Sequence, residues 1–261
     1  MIILAYLVLG ASAGILAGLL GVGGGLIIVP VLLMIFSILG FDSSLVMHMA
    51  IATSLWTIVL TALMSAYAHH RHGAVLWRDV WLLTPGMILG AALGAILADG
   101  MSNIALRYLF AVFEVVVALQ MMFSITPGEG RKEPGIILAF TTGLLTGGLS
   151  AVIGIGGGTI TVPFLHWCGR SIRQAVATSS VCGIPIALSG GLFYILLGLD
   201  NQALPQNTLG YLYWPAFLTI SITSVLLAPL GAKLAHTLPV ATLKKTFAAL
   251  LFLIGMRMLL T

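Results

Sequence analysis

The sequence predicts an all-α polytopic membrane protein made of two inverted-topology repeats. Each repeat is a glycine-broken helix pair followed by three transmembrane helices, giving about eight to ten hydrophobic segments in all. Three observations predict this. First, 60% of the 261 residues are hydrophobic and only 7% are charged, with a mean hydropathy of +1.15. A soluble domain carries roughly 25% charged residues, and apolar runs here leave no room for a separate soluble domain. Second, Gly21-Val-Gly-Gly-Gly-Leu-Ile-Ile-Val-Pro30 returns as Gly154-Ile-Gly-Gly-Gly-Thr-Ile-Thr-Val-Pro163, a shift of 133 residues with seven identical positions. Third, Lys and Arg collect in alternate loops, as membrane orientation requires.

Taken in order, residues 2–20 form an apolar segment that reads as part of the fold rather than a removed signal peptide. It lacks a basic start, and a glycine break follows it instead of a cleavage site. Glycine is a poor helix former, so three in a row should interrupt the helix. Leu26 to Leu39 then has 14 residues. These span about 21 Å against a hydrocarbon core of about 30 Å, so the pair has its tip inside the bilayer. A turn at Gly40-Phe-Asp-Ser-Ser leads to a helix from about Ser44 to Ala68, with Ser43 or Ser44 expected as N-cap. After loop 69–78 come spans at about 80–98 and 104–123, joined by a turn at 99–103. The polar linker 124–135 divides a first transmembrane repeat, 1–123, from a second, 136–261. The second repeats the plan: a broken pair over 136–167, a helix from Ser171 to Leu197, a loop from Asp200 to Gly210, and spans at about 212–235 and 241–260. Ala52-Thr-Ser54 recurs as Ala177-Thr-Ser179, and Leu93-Gly-Ala-Ile-Leu-Ala98 as Leu230-Gly-Ala-Lys-Leu-Ala235.

Loop charge sets an expected orientation. Basic residues gather in 69–78, 168–173 and 233–245, which are therefore expected in the cytoplasm. Loops 40–47, 99–103 and 198–210 have no Lys or Arg and are expected outside. Loop 69–78 of the first half corresponds to 198–210 of the second, so equivalent loops fall on opposite sides. That is an inverted repeat, with both termini outside and the linker inside. Lys233, Lys244, Lys245 and Arg78 read as cytoplasmic anchors. The formal net charge of +4 follows this loop pattern and argues against a nucleic-acid partner.

Two broken segments in matching halves point to a transporter's substrate site. Gly23, Gly24 and Gly25, with Gly156, Gly157, Gly158 and Thr159, form the tips. Each tip opens a helix whose first N–H groups have no intrahelical partner, and such a terminus favours an anion. The alternative is that the glycines serve close helix packing. The hydroxyls of Thr53, Ser54, Thr178 and Ser179 are expected as anion donors, against ordinary back-bonding to their own helix. His48 and Arg173 stand one turn before these pairs, at the edges of the site. Glu114 falls near the middle of the 104–123 span, where a charge is expensive; it is a proton-coupling candidate or a structural carboxyl. His69, His70 and His72 read as a charged interface loop rather than a metal site, and Cys168 and Cys182 have no metal or redox spacing. No metal ligand set and no catalytic residues are expected. The downstream Asp42 does not make the first glycine run a dinucleotide site, since no βαβ unit surrounds it.

The two glycine–proline motifs, the Ala-Thr-Ser repeats and the inverted halves together resemble the TauE/SafE family of sulfite exporters and related permeases. The likeness covers essentially the whole chain. It implies an inner-membrane transporter of a small anion such as sulfite or an organosulfonate, with no cofactor and with the lipid bilayer as its surroundings. It does not fix the anion, and the sequence is compatible with a homo-oligomer. A passive anion channel, or a permease for carboxylates or other sulfur compounds, is the alternative. An intramembrane protease is disfavoured because neither HExxH nor GxSG occurs, Ala187-Leu-Ser-Gly190 having Ala in place of the first Gly, and a scaffold would not need broken helices at the midplane.

Overall fold

The computed structural model describes residues 2–21, 23–123, 133–237 and 240–260, with no side chains described at 236–245. The linker expected at 124–135 therefore lies outside the described residues up to 132. Ten helices appear among the described residues. The first five are α1 (Ile2–Leu20), α2 (Gly25–Ile38), α3 (Val46–Arg71), α4 (Trp77–Asp99) and α5 (Asn103–Met122). The second five repeat them: α6 (Ile136–Ile153), α7 (Gly158–Trp167), α8 (Ile172–Gly198), α9 (Trp214–Thr237) and α10 (Val240–Leu260). Seven of these are long and apolar enough to cross a membrane, whereas α2 and α7 have only 14 and 10 residues. Large apolar side chains such as Leu97, Trp81 and Leu226 point outward, as a lipid-facing surface requires.

Small residues decide which helices meet. Gly10, Gly14 and Gly18 recur every fourth position on α1, and any side chain there would strike the α9 backbone at Ile220, Ser224 and Ala228. Gly86, Gly90 and Gly94 of α4 lie in the same way against Phe140, Leu144 and Gly148 of α6. Such stripes let membrane helices approach closely, where van der Waals packing is the main attraction. Both pairs join opposite halves of the chain. The order of contacts makes α1 parallel to α9 and α4 parallel to α6. By contrast α5 and α10 run antiparallel, with Arg107 Nε donating to the Met258 carbonyl at 3.2 Å and Gly255 beside Ala111.

The loops sort into two ends. At one end, Phe41 packs on Tyr213, the Met47 N–H donates to Asn103 Oδ1, and the Tyr211 hydroxyl donates to Asp99 Oδ1. These are the segments without Lys or Arg. At the other end, Arg78 pairs with Glu133 and Arg170 with Asp79. The two halves are thus inverted copies. Start-of-helix chemistry differs from expectation at α3. Neither Ser43 nor Ser44 caps it; Leu45 holds the N-cap position with no side-chain bond. Asp42 is the reason, because its Oδ1 accepts from both the N–H and the hydroxyl of Ser44 and closes a turn just before the helix. The same bonds hold the exposed Asp42 carboxyl below the usual carboxylate range. At α8 the expected Ser171 does cap, in a full capping box with Gln174. A two-residue hairpin, β1 (Thr208–Leu209) and β2 (Leu212–Tyr213), lies in the region read as a loop and the start of a span.

Candidate functional site

Each glycine tip turns the chain back with left-handed backbone. Gly24 has φ 79° and ψ −8°, and Gly157 has φ 75° and ψ −8°, so the two N-caps superimpose in conformation. Glycine adopts these angles without steric cost, whereas a side chain would be strained. Neither α2 nor α7 has a side-chain cap, which leaves the first helical N–H groups, those of Gly25, Leu26, Gly158 and Thr159, without an intrahelical partner. Pro30 and Pro163 lie inside these helices at the same offset and remove one further bond each, to the carbonyls of Leu26 and Thr159.

The tips meet. A side chain at Gly23 would stand 3.2 Å from the Gly156 backbone, and one at Gly25 would strike the Gly154 carbonyl. Between them lies a small cavity of about 10 Å³, of the order of one water. Gly21, Gly23, Gly156, Gly183, Ser65, Ser179 and Ser180 line it, with Ala17 and Ala62. Its serines are mostly engaged. Ser65 donates to Ser180 Oγ at 3.2 Å, and Ser180 donates to the Val176 carbonyl at 3.0 Å.

The Thr-Ser pairs hold the tips by mirrored bonds. Ser54 Oγ donates to the Gly154 carbonyl at 2.8 Å, and Ser179 Oγ shares its proton between the Gly21 carbonyl at 3.2 Å and the Val176 carbonyl of its own helix at 2.9 Å. Each serine thus fixes the first glycine of the opposite repeat. Thr53 Oγ1 accepts from the Tyr213 N–H at 3.1 Å, and Thr178 Oγ1 from the Leu76 N–H at 3.0 Å. A third pair lies one level away: His69 Nε2 donates to the Gly18 carbonyl at 2.9 Å, and the Tyr194 hydroxyl to the Ala151 carbonyl at 3.2 Å. All of these side chains are buried.

Of the residues singled out from sequence, the cavity brings together Gly23, Gly156 and Ser179. Gly24, Gly25, Gly157, Gly158 and Thr159 form the adjoining helix starts. Thr53, Ser54 and Thr178 are buried but do not line the cavity; Ser54 reaches the Gly154 tip, whereas Thr53 and Thr178 meet the backbone at Tyr213 and Leu76. His48 is buried near the Asp99 and Tyr211 end, its Nε2 donating to the Ala98 carbonyl and its ring stacked on Tyr211. Arg173 is exposed at the opposite end. Glu114 is fully buried in α5, and neither carboxyl oxygen has a hydrogen-bond partner among the described residues. No group of His, Cys, Asp and Glu able to hold a metal occurs among the described residues.

Sequence reasoning missed three features. Arg170 makes a two-point ion pair with the buried Asp79, at 2.9 and 3.1 Å, tying the α7–α8 turn to the first turn of α4. The partners are 91 residues apart, and no local spacing announces them. Ser65 and Ser180 were also overlooked, although Ser180 directly follows Ser179 and Ser65 lies one turn before His69. So were Thr146 and Ser150 on α6, whose buried hydroxyls have no partner among the described residues.

Comparison with known proteins agrees with this architecture. The "Sulfite exporter TauE/SafE" family profile matches residues 6–258. A protein of Haemophilus influenzae named "Probable membrane transporter protein" is 39% identical over 99% of this chain and 98% of its own length. A protein of Methanocaldococcus jannaschii with the same description is 28% identical over 97% of this chain and 94% of its own. One of Bacillus subtilis is 24% identical over 97% and 95%. No solved structure matches. A match across nearly the whole length shows that this multi-pass membrane protein is a transporter and belongs to the sulfite exporter TauE/SafE family.

Proposed function

We propose that the chain is a secondary transporter that exports a small anion, such as sulfite or an organosulfonate, by alternating access about the two glycine tips. The observation that carries this reading is the meeting of two uncapped helix starts, from inverted halves, beside one cavity. Each start favours negative charge by roughly 0.3–2 kcal/mol, depending on burial. A cavity of about one water is too small for sulfite. The described state is therefore closed on its substrate site, and transport requires the tips to part. The Thr53 and Thr178 hydroxyls, which accept from backbone, keep a proton to donate; Ser54 and Ser179 donate theirs to the tip carbonyls. His48 and Arg173, at opposite ends, meet the anion on its way rather than hold it. Both termini are outside the inner membrane, because the basic loops lie at the other end.

Glu114 is the group for coupling to protons. An unpaired carboxylate is costly to bury, so a change in its protonation accompanies any motion that exposes it. Reconstituted vesicles loaded with sulfite test the whole reading. Counterflow of labelled sulfite against unlabelled sulfite is the expected result for a carrier, and flux without counterflow would make the protein a channel. In the same vesicles, Glu114→Gln should abolish transport driven by a pH gradient while sparing anion exchange. Normal pH-driven transport by that variant would leave Glu114 a structural residue.

A further inference from the structure

The two tips share a backbone but not a lining, and the difference is concentrated in three hydroxyls. With the 133-residue shift, Thr146, Ser150 and Thr159 correspond to Ala13, Ala17 and Leu26. The first tip is therefore apolar where the second carries O–H groups. Thr146 and Ser150 are fully buried, one turn apart on the same face of α6. They adjoin Gly157: a side chain placed there would lie 3.1 Å from Thr146 Cγ2 and 3.3 Å from Ser150 Oγ. Thr159 is the second residue of α7, and its Oγ1 is enclosed as well.

These hydroxyls depart from the habit of the chain. Ser12, Ser37, Thr57, Thr61, Thr84, Thr141, Thr161 and Ser180 each bond to a carbonyl three or four residues back in their own helix. Thr146, Ser150 and Thr159 bond to nothing among the described residues; the Ser221 and Tyr6 hydroxyls are likewise buried without a partner, but only these three gather at one helix start. Buried polar groups are ordinarily paired, and three adjacent exceptions around one uncapped helix start have the chemistry of a binding site awaiting an acceptor. Each hydroxyl can turn its proton toward an acceptor and the N–H groups can only donate, which suits the oxygens of a tetrahedral or pyramidal oxyanion; the positive end of the helix disfavours a cation there.

We infer that Thr146, Ser150 and Thr159, with the N-terminus of α7, form the oxyanion subsite of this transporter. The first tip closes over the anion without bonding it through side chains. This rests on the anion-transport reading above and narrows it to one tip. The asymmetry also suits release, since one donor-rich tip holds an anion less tightly than two would.

The test is calorimetric binding to purified wild-type protein, using sulfite, sulfate, ethanesulfonate and acetate. The tightest of the four then serves as probe for a Thr146→Val/Ser150→Ala variant. Its affinity should fall by about a hundredfold or more, the usual effect of losing two bonds to a charged acceptor. Its melting temperature should hold or rise, because the deleted groups bond nothing in the protein. Thr161→Val, which removes a hydroxyl already bonded to its own helix, should leave affinity within about twofold. Unchanged affinity in the double variant overturns the subsite and leaves the transporter reading standing. A parallel fall of affinity and melting temperature assigns these hydroxyls to structure and also overturns it. Absence of wild-type binding to all four anions overturns both readings.

Discussion

The cavity beside Gly21 and the equivalent region beside Gly154 share their framework and differ in what fills them. Inverting the chain carries Ser180 onto Leu55 and Gly183 onto Ile58, a shift of 125 residues along the third helix of each repeat. On the first side, Ser180 and Gly183 leave a small space next to Gly23 and Gly156. On the other, Leu55 reaches to within 3.3 Å of a side chain placed at Gly190, and Ile58 to within 3.1 Å of ones at Gly23 and Gly25. The bonds that position the tips are duplicated, as Ser54 and Ser179 show. Duplicated contacts thus belong to the scaffold. Contacts present once, including the Arg170–Asp79 pair, the Glu114 carboxyl and the free hydroxyls of α6, mark where the halves do different work.

The largest effects should strike both sides alike. Gly24→Leu and Gly157→Leu each force a side chain into left-handed backbone, the one against Ala13 and the other against Ile186 Cδ1 at 2.6 Å. Both should abolish vesicle transport while membrane insertion persists; full activity in either would separate the tips. Next comes Ile58→Ala, which opens on the filled side a space like that on the first. It should cost about 2–5 kcal/mol of stability in a detergent unfolding titration, the usual range for a large buried residue. A cost near zero would mean that the filled side is loosely packed. Thr53→Val and Thr178→Val each leave a backbone N–H, that of Tyr213 or Leu76, without its acceptor. Each should cost about 1–3 kcal/mol. Ser54→Ala and Ser179→Ala are smallest, at about 1 kcal/mol each, because the tip carbonyls lose one bond apiece. The comparison is sharpened if the two serines match within error and broken if one costs several times the other.

The framework was legible because it is written twice. A doubled glycine run and opposite loop charges are enough to derive broken pairs, inversion and a central meeting point. The stripes Gly10-Gly14-Gly18 and Gly86-Gly90-Gly94 stood out only in the folded chain, because four-residue spacing alone does not name the partner helix. The turn at Asp42 shows how a local competitor defeats a capping expectation, since one carboxylate takes both donors of Ser44. Of the Thr-Ser pairs, the serines bond the tip carbonyls and the threonines accept from the backbone of distant segments at Tyr213 and Leu76, partners that no helical periodicity encodes. Thr146 and Ser150 stayed hidden for a different reason. In an apolar helix a lone Thr or Ser reads as back-bonded, and only the folded chain shows that these two are not.

The crosswise pairing of α1 with α9 also sets a schedule. Gly10 and Ile220, which touch in the finished protein, are 210 residues apart in the sequence. At about 5–20 residues per second, the first helix leaves the ribosome roughly 10–40 s before its partner exists. The α4 stripe waits a shorter time for α6. Until then both small-residue faces lie against lipid or against the insertion machinery, with nothing to hold them in register. Synthesis that stops after α5 therefore leaves α1 and α4 without α9 and α6, the helices their small-residue faces meet.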